Sequence, residues 1–305
     1  METPKQTAQS KATIALGLSL SNEIIEMCNK YYFKQCGIND PLMRNIETKM
    51  TEYIENFGNI YTEFPVDCIC GCCKMTSLAK KFCNVDVLSI NILNTFKKHE
   101  WLKSTDMVFL DQLTEHILSL GKFCNVCELI VNFFDPESVV KFSDSYGQTI
   151  LDVLFNSHGE YHIYSLVDVI DFLETHHFDF HYVGNPRLTY IHAAINVYNS
   201  YLIKRFVELG VDIYENGSET GETRSMGHQI CSVFCFCFDN NLGREHNKSY
   251  LISCCQMIQF CITEHYFDKN MTNETGNTLR FYVEKYKKQG MELLGSTYCQ
   301  FTDNF

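Results

Sequence analysis

The sequence predicts an all-α fold, in which a helical N-terminal region (residues 1–100) continues into an array of helical repeats (residues 101–305). Apolar residues recur at spacings of three and four along much of the chain, which is typical of amphipathic helices. They make up 45% of the residues and charged residues make up 20%, a composition typical of globular proteins. From about residue 101 the predicted helices come in pairs joined by short turns, which favours a repeat architecture.

The N-terminal region shows helical periodicity without an internal repeat. Apolar faces predict one helix around residues 24–32 and a second from Met43 to Phe57, separated by a turn at residues 37–41. A loop is predicted around Pro65, and a further helix runs from Val87 to Phe96. We expect these helices to pack as a region that carries a cysteine cluster.

Beyond residue 101 the pattern changes to paired helices with a recurring motif. Helices are predicted at residues 110–120 and 127–134, and the second is expected to stop at Asp135-Pro136. A Gly-x-Thr motif then recurs at residues 147–149, 221–223 and 276–278.

One segment resembles a known repeat family. Thr189–Ala194 is similar to the Thr-Pro-Leu-His-x-Ala opening of an ankyrin repeat, with Tyr190 in place of Pro and Ile191 in place of Leu. Ile203–Ile213 resembles the second helix of that repeat and its Gly-Ala-Asp-Val turn. The best match therefore spans Thr189 to Ile213. Weaker units begin near Asp144, Gly221 and Gly276, which implies a short, strongly diverged ankyrin-like solenoid.

The resemblance implies both structural roles and a function. Thr189 is expected to cap a first helix, His192 to tie adjacent turns together by hydrogen bonds, and Gly210 to take a left-handed conformation after a second helix. The function implied is protein–protein interaction, as an adaptor or scaffold, through the concave face and loop tips of the array. The residues that bind the partner are not identified by the sequence. An array that serves only as a structural domain of a larger assembly is an alternative.

The charge balance constrains the partner. The chain has 25 Lys and Arg residues against 37 Asp and Glu residues, a formal net charge of −12. Proteins that bind nucleic acids need a basic surface, so no nucleic acid is expected. No stretch approaches the roughly 20 apolar residues of a membrane span, so no membrane association is expected. The acidic net charge favours a protein partner that carries a basic patch.

The 16 cysteines favour an intracellular location, in the cytoplasm or nucleus. Several are adjacent, and neighbouring cysteines do not easily satisfy disulfide geometry. Most others lie in apolar stretches, where a free thiol acts as a small hydrophobe. Secretion is the alternative, because Ala12–Leu20 loosely resembles the apolar part of a signal peptide.

A zinc-binding module is the main alternative function, such as a ubiquitin-pathway or nucleic-acid-associated protein. Cys70–Cys73 and Cys124–Cys127 each contain a Cys-x-x-Cys pair, but about fifty residues separate them, longer than a zinc ribbon uses. A second set lies in an apolar stretch that a buried helix explains more simply. We therefore expect no bound metal. The second set comprises His228, Cys231, Cys235 and Cys237, with His246, Cys261 and His265 nearby.

Enzyme signatures do not converge on any site. The glycines are isolated at turns, so no phosphate-binding loop is formed, and no Gly-x-Ser-x-Gly motif occurs. His176, His177 and His181 cluster in sequence, but they fall where a helix leaves its repeat, so exposed loop positions are expected. We expect no catalytic residues and no cofactor.

Overall fold

A computed structural model describes residues 4–33, 40–66, 74–83, 90–120, 126–156, 163–181, 189–213, 217–218, 223–224, 226–240, 248–273, 275–303 and 305. The described chain is mostly helical, which confirms the all-α prediction. It divides into two compact units. Unit 1 comprises Met1–Asp144 and Asn156–Phe178, and unit 2 comprises Ser145–Phe155 and Asp179–Phe305. The predicted boundary near residue 100 stays a prediction.

Unit 1 contains eight described helices and one short hairpin. The helices are α1 (Pro4–Phe33), α2 (Pro41–Phe57), α3 (Leu78–Cys83), α4 (Ile90–Lys98), α5 (Met107–Leu120), α6 (Val126–Asn132), α7 (Pro136–Val140) and α9 (Ile163–Thr175), and strands β1 (Phe64–Val66) and β2 (Lys74–Thr76) pair antiparallel.

Capping residues define the start and the end of α2. The Asp40 side chain accepts a hydrogen bond from the Leu42 amide at 2.7 Å, and Pro41 occupies the first turn, where its missing amide costs nothing. Gly58 then ends the helix with φ 81°. The helix buries an apolar face at spacings of three and four, formed by Met43, Ile46, Met50 and Tyr53.

Several helices of unit 1 contact the next helix but one, and others contact a consecutive or a more distant helix. α1 packs against α2 and α3, α3 packs against α5, α4 packs against α6, and α6 packs against α9. Contacts between alternate helices are typical of stacked helix pairs. The Asp135-Pro136 dipeptide follows the end of α6, as predicted, but it also begins a helix, because Asp135 accepts a hydrogen bond from the Ser138 amide at 3.0 Å and caps α7.

Unit 2 contains the remaining described helices and a second hairpin. These are α8 (Ile150–Asn156, whose last residue is grouped with unit 1), α10 (Tyr190–Asn196), α11 (Ser200–Glu208), α12 (Met226–Asn240), α13 (Lys248–Thr263), α14 (Leu279–Lys285), α15 (Lys287–Leu294) and α16 (Ser296–Thr302), with antiparallel strands β3 (Gly217–Ser218) and β4 (Thr223–Arg224) between α11 and α12.

Three seven-residue helices of unit 2, α8, α10 and α14, each begin directly after a threonine. Thr189 and Thr278 have extended backbones, and their side chains accept hydrogen bonds from amides of the first turn. Thr149 makes a reciprocal pair with Asp152, whose carboxylate accepts from the Thr149 amide at 2.8 Å. The predicted capping role of Thr189 is confirmed.

Several of the longer helices end in the same turn, a Schellman motif. After α11, Gly210 takes φ 84° and the Val211 amide donates to the Phe206 carbonyl at 3.0 Å. After α13, His265 takes φ 58° and the Tyr266 amide donates to a carbonyl five residues earlier. The left-handed conformation predicted for Gly210 is confirmed. The same turn closes α4 at Glu100 (φ 58°) and α9 at His177 (φ 61°).

The helices of unit 2 contact one another in two rows. α10 contacts α12 and α12 contacts α14, while α11 contacts α13 and α13 contacts α15. Side-chain hydrogen bonds connect successive members of the first row, so the row is specified by polar as well as apolar groups. These bonds join Thr149 to Tyr190 (2.9 Å), Gln229 to Asn196, and Tyr286 to Asp239 (2.7 Å).

His192 is a buried structural residue of α10. Its side chain is 1% exposed, and its Nδ1 lies 2.6 Å from the Thr189 hydroxyl. We expect His192→Ala to lower the free energy of unfolding by about 1–3 kcal/mol, because it removes this bond and leaves the threonine partly unsatisfied. Chemical denaturation of the two proteins measures the loss. A variant that stays as stable as the parent but loses partner binding would contradict this structural role.

Candidate functional site

A groove of about 430 Å³ lies between α6 and α9 within unit 1. Its described lining comes from these two helices and from His176, which directly follows α9. The side chains that define its floor and rim are Cys127, Glu128 and Val131 from α6, and Asp168, Asp171 and Phe172 from α9.

Helical spacing places the lining residues of α9. Asp168, Asp171, Phe172 and Thr175 recur at intervals of three and four, so they share one face. The opposite face is apolar and fully or nearly fully buried, which fixes the rotation of the helix about its axis. The buried face comprises Leu166, Val169, Ile170 and Leu173.

The groove has an apolar floor with one aromatic ring. Phe172 is half-buried, and its ring centroid lies 4.7 Å from that of His176, with the planes inclined at 59°. Val131 is also half-buried, and Cys127 is buried beneath the surface. A partly exposed aromatic ring gives an apolar contact surface and also a face that attracts cations.

Carboxylates dominate the polar lining of the groove. Glu128 and Asp168 are exposed, and within the described residues neither forms an ion pair with a Lys or Arg side chain. Asp171 adds a third acidic group, and no described lining residue is Lys or Arg. The groove is therefore a site of negative potential with an apolar base.

The thiol at the base of the groove is buried. Burial, and after it the negative charge of Asp168, raises the pKa of Cys127 to about 12. A thiol with this pKa is protonated at neutral pH, whereas the thiolate is the reactive and metal-binding form. Cys127 therefore contributes packing to the groove.

The cysteines of the first predicted zinc site lie mostly outside the described residues. Cys70, Cys72, Cys73 and Cys124 belong to segments that the structure does not describe. Of this set only Cys127 is described, and it is buried at the groove.

The second set falls on a buried helix. His228, Cys231, Cys235 and Cys237 lie on α12, and Cys261 lies on α13, while His265 is exposed and His246 lies outside the described residues. Among the residues with described positions, no three His, Cys, Asp or Glu side chains are grouped so that they could hold a metal ion.

Thiols of α12 and α13 form a buried hydrogen-bonded cluster. The Cys237 thiol donates to the Tyr198 hydroxyl at 3.1 Å. Its hydrogen bonds with Cys254 and then with Tyr198 lower the pKa of Cys237. The hydrogen bond with Cys237, followed by burial, raises the pKa of Cys254. Both side chains are 1% exposed, so this cluster packs the core of unit 2 and is closed to substrates.

The three histidines of the predicted cluster lie at the end of α9 and in the segment that follows it. His176, His177 and His181 are exposed, as predicted. His177 occupies the left-handed position of the turn that closes α9, which is a backbone role. The absence of catalytic residues stays a prediction.

The zinc alternative has a direct test. We expect purified protein to contain no stoichiometric metal and to keep its melting temperature after incubation with a chelator. Inductively coupled plasma mass spectrometry and thermal denaturation measure the two quantities. About one zinc ion per chain, together with unfolding on chelation, would show that the cysteine clusters outside the described residues bind metal.

No protein-family model matches the chain, and comparisons with curated proteins and with solved structures find no significant similarity. None of the helices in the described ranges is both long enough and apolar enough to span a lipid bilayer. Function must therefore be argued from the residues themselves.

Proposed function

We propose that the chain is a protein-interaction module, an adaptor or scaffold, built on a diverged ankyrin-like solenoid of helix pairs, and that it is not an enzyme. The α10–α11 unit carries the proposal. This helix–turn–helix contains the Thr189 cap, the buried His192 and the Gly210 turn. These are the positions that the ankyrin motif leads one to expect, which supports the proposal.

Neighbouring units support the same interpretation. The Thr149 and Thr278 caps begin helices of the same length as α10, and a short hairpin precedes α12, where an ankyrin repeat carries its loop tip. Helix pairs of this size bury their apolar faces only by stacking on neighbours, which leaves an extended outer surface. Binding of a partner protein to this surface depends on shape and charge and requires no reactive group.

Large exposed side chains contribute to the outer surface of unit 2. Tyr146, which directly precedes Gly147, is 71% exposed. Large aromatic side chains of this kind supply much of the binding energy in protein interfaces. All described cysteines are free thiols, which supports function in a reducing compartment such as the cytoplasm or nucleus.

The proposal is tested by reconstitution of a binary complex. A partner is captured from the native cell with the full chain, purified, and titrated by calorimetry against three forms of the chain. We expect the wild type and Lys204→Ala to bind alike, and Ala194→Arg, which disrupts packing of α10, to lose binding. Equal binding by Ala194→Arg, once it is shown to be unfolded in unit 2, would contradict the proposal.

A further inference from the structure

We propose that the groove between α6 and α9 binds an arginine side chain, presented by a basic segment of the partner protein. This inference rests on the proposed protein-interaction function and deepens it by naming the chemistry of the partner. It goes beyond a general preference for basic partners because it assigns a position, a side chain and the groups that recognise it.

The shape of the groove suits a long side chain. At about 430 Å³ it has room for a side chain of arginine size, together with part of the adjoining backbone. Phe172 and Val131 provide apolar contact for the aliphatic stem of such a residue. The planar guanidinium group can then stack on the Phe172 ring, which favours arginine over lysine.

The charge of the groove is complementary to the same side chain. Glu128 lies on α6, and Asp168 lies on α9, so carboxylates approach the groove from both helices. Asp171 adds negative charge on the α9 side. The guanidinium group offers five N–H donors in a fixed planar arrangement, which allows it to bond to more than one carboxylate.

Other occupants fit the groove less well. A second copy of the chain carries the same net charge of −12, so association is opposed by like charge. Phosphate-bearing ligands are repelled by the carboxylates for the same reason. A metal ion is disfavoured because the described residues contain no group of three acidic, His or Cys side chains arranged to hold one.

The binding test uses the full chain and two synthetic probes. One is a blocked fluorescent peptide that alternates arginine and leucine, and the other has glutamine in place of every arginine. We expect the arginine peptide to bind at least about tenfold more tightly than the glutamine peptide, as charge-assisted hydrogen bonds predict. The preference for the arginine peptide should weaken as the salt concentration is raised. This dependence is measured on the wild-type chain. Equal affinities for the two peptides would overturn the proposal.

Variants of the chain test whether the preference for the arginine peptide arises at the groove. The double variant Glu128→Gln with Asp168→Asn removes two charges from the rim and is expected to abolish most of the preference. The control Glu208→Gln with Glu264→Gln removes two exposed charges from unit 2 and should leave the preference unchanged. A preference that falls equally in both double variants would show that net charge, and not the groove, attracts the peptide.

The aromatic contribution is tested separately. Phe172→Leu keeps an apolar floor but removes the ring, so it should weaken binding of the arginine peptide several-fold and leave binding of the glutamine peptide nearly unchanged. An unchanged arginine preference in Phe172→Leu would contradict stacking on this ring.

Failure of this inference is distinguishable from failure of the proposed function. If the captured partner binds the groove double variant as tightly as the wild type but does not bind Ala194→Arg, the interaction module stands and the arginine site is wrong. If the partner binds both the groove double variant and unfolded Ala194→Arg as tightly as it binds the wild type, neither surface is used and the proposed function itself is wrong.

Discussion

Ala194→Arg is expected to lower the free energy of unfolding by about 3 kcal/mol or more, enough to unfold unit 2 at physiological temperature. Ala194 is fully buried in α10, a helix that contacts both α11 and α12. An arginine at this position forces neighbouring side chains out of their rotamers, and its charge has no solvent within reach. Overpacking and desolvation therefore act in the same direction.

Lys204→Ala is the matched control for Ala194→Arg. Lys204 lies on α11, where its side chain is exposed, so its removal is expected to change stability by no more than about 0.5 kcal/mol. Urea denaturation followed by circular dichroism compares the two variants with the parent. Equal midpoints for the two variants would show that the helical register of α10 and α11 is wrong.

The α10–α11 unit could be predicted from the sequence because characteristic residue types mark its start and its end. Threonine is a preferred cap, and glycine is the residue that most easily takes a left-handed conformation, so Thr189 and Gly210 mark a beginning and an end. Where the same turn uses another residue type, the signal is lost. The left-handed position after α4, α9 and α13 is occupied by Glu100, His177 and His265. Glutamate and histidine do not predict a left-handed conformation as glycine does.

Helix existence was easier to predict than helix length. Periodicity indicated a helix near residues 24–32, and α1 runs over Pro4–Phe33. Apolar spacing indicates only the part of a helix that is covered by neighbours, and residues 11–23 of α1 are mainly exposed.

The groove could not be predicted from the sequence. The spacing of Asp168 and Phe172 shows that they share a face of α9, but not what lies opposite that face. The answer depends on packing against α6, about forty residues earlier in the chain, which is a tertiary contact that no local pattern encodes. Cys127 is buried at the groove, and its local sequence does not indicate this position.

An aromatic cluster in unit 2 surrounds one phenylalanine of α11. The Phe206 side chain is fully buried on α11, and its ring contacts three others within unit 2. Ring centroids lie 5.7 Å apart for Tyr190, 6.0 Å for Phe155 and 6.2 Å for Phe180. These partners come from α8, α10 and the segment before α10, so Phe206 connects several parts of the unit.

Phe206→Ala is therefore expected to lower the free energy of unfolding by about 3–5 kcal/mol, because it removes buried apolar area and leaves a cavity. Tyr201→Ala is the matched control, since it truncates an aromatic side chain on the same helix that is 55% exposed, and its effect should stay within about 0.5 kcal/mol. Differential scanning calorimetry should show a fall in melting temperature on the order of 10 °C for Phe206→Ala alone. A fall of similar size in both variants would mean that α11 does not turn Phe206 into the core, and it would remove the packing argument on which the stacked helix pairs depend.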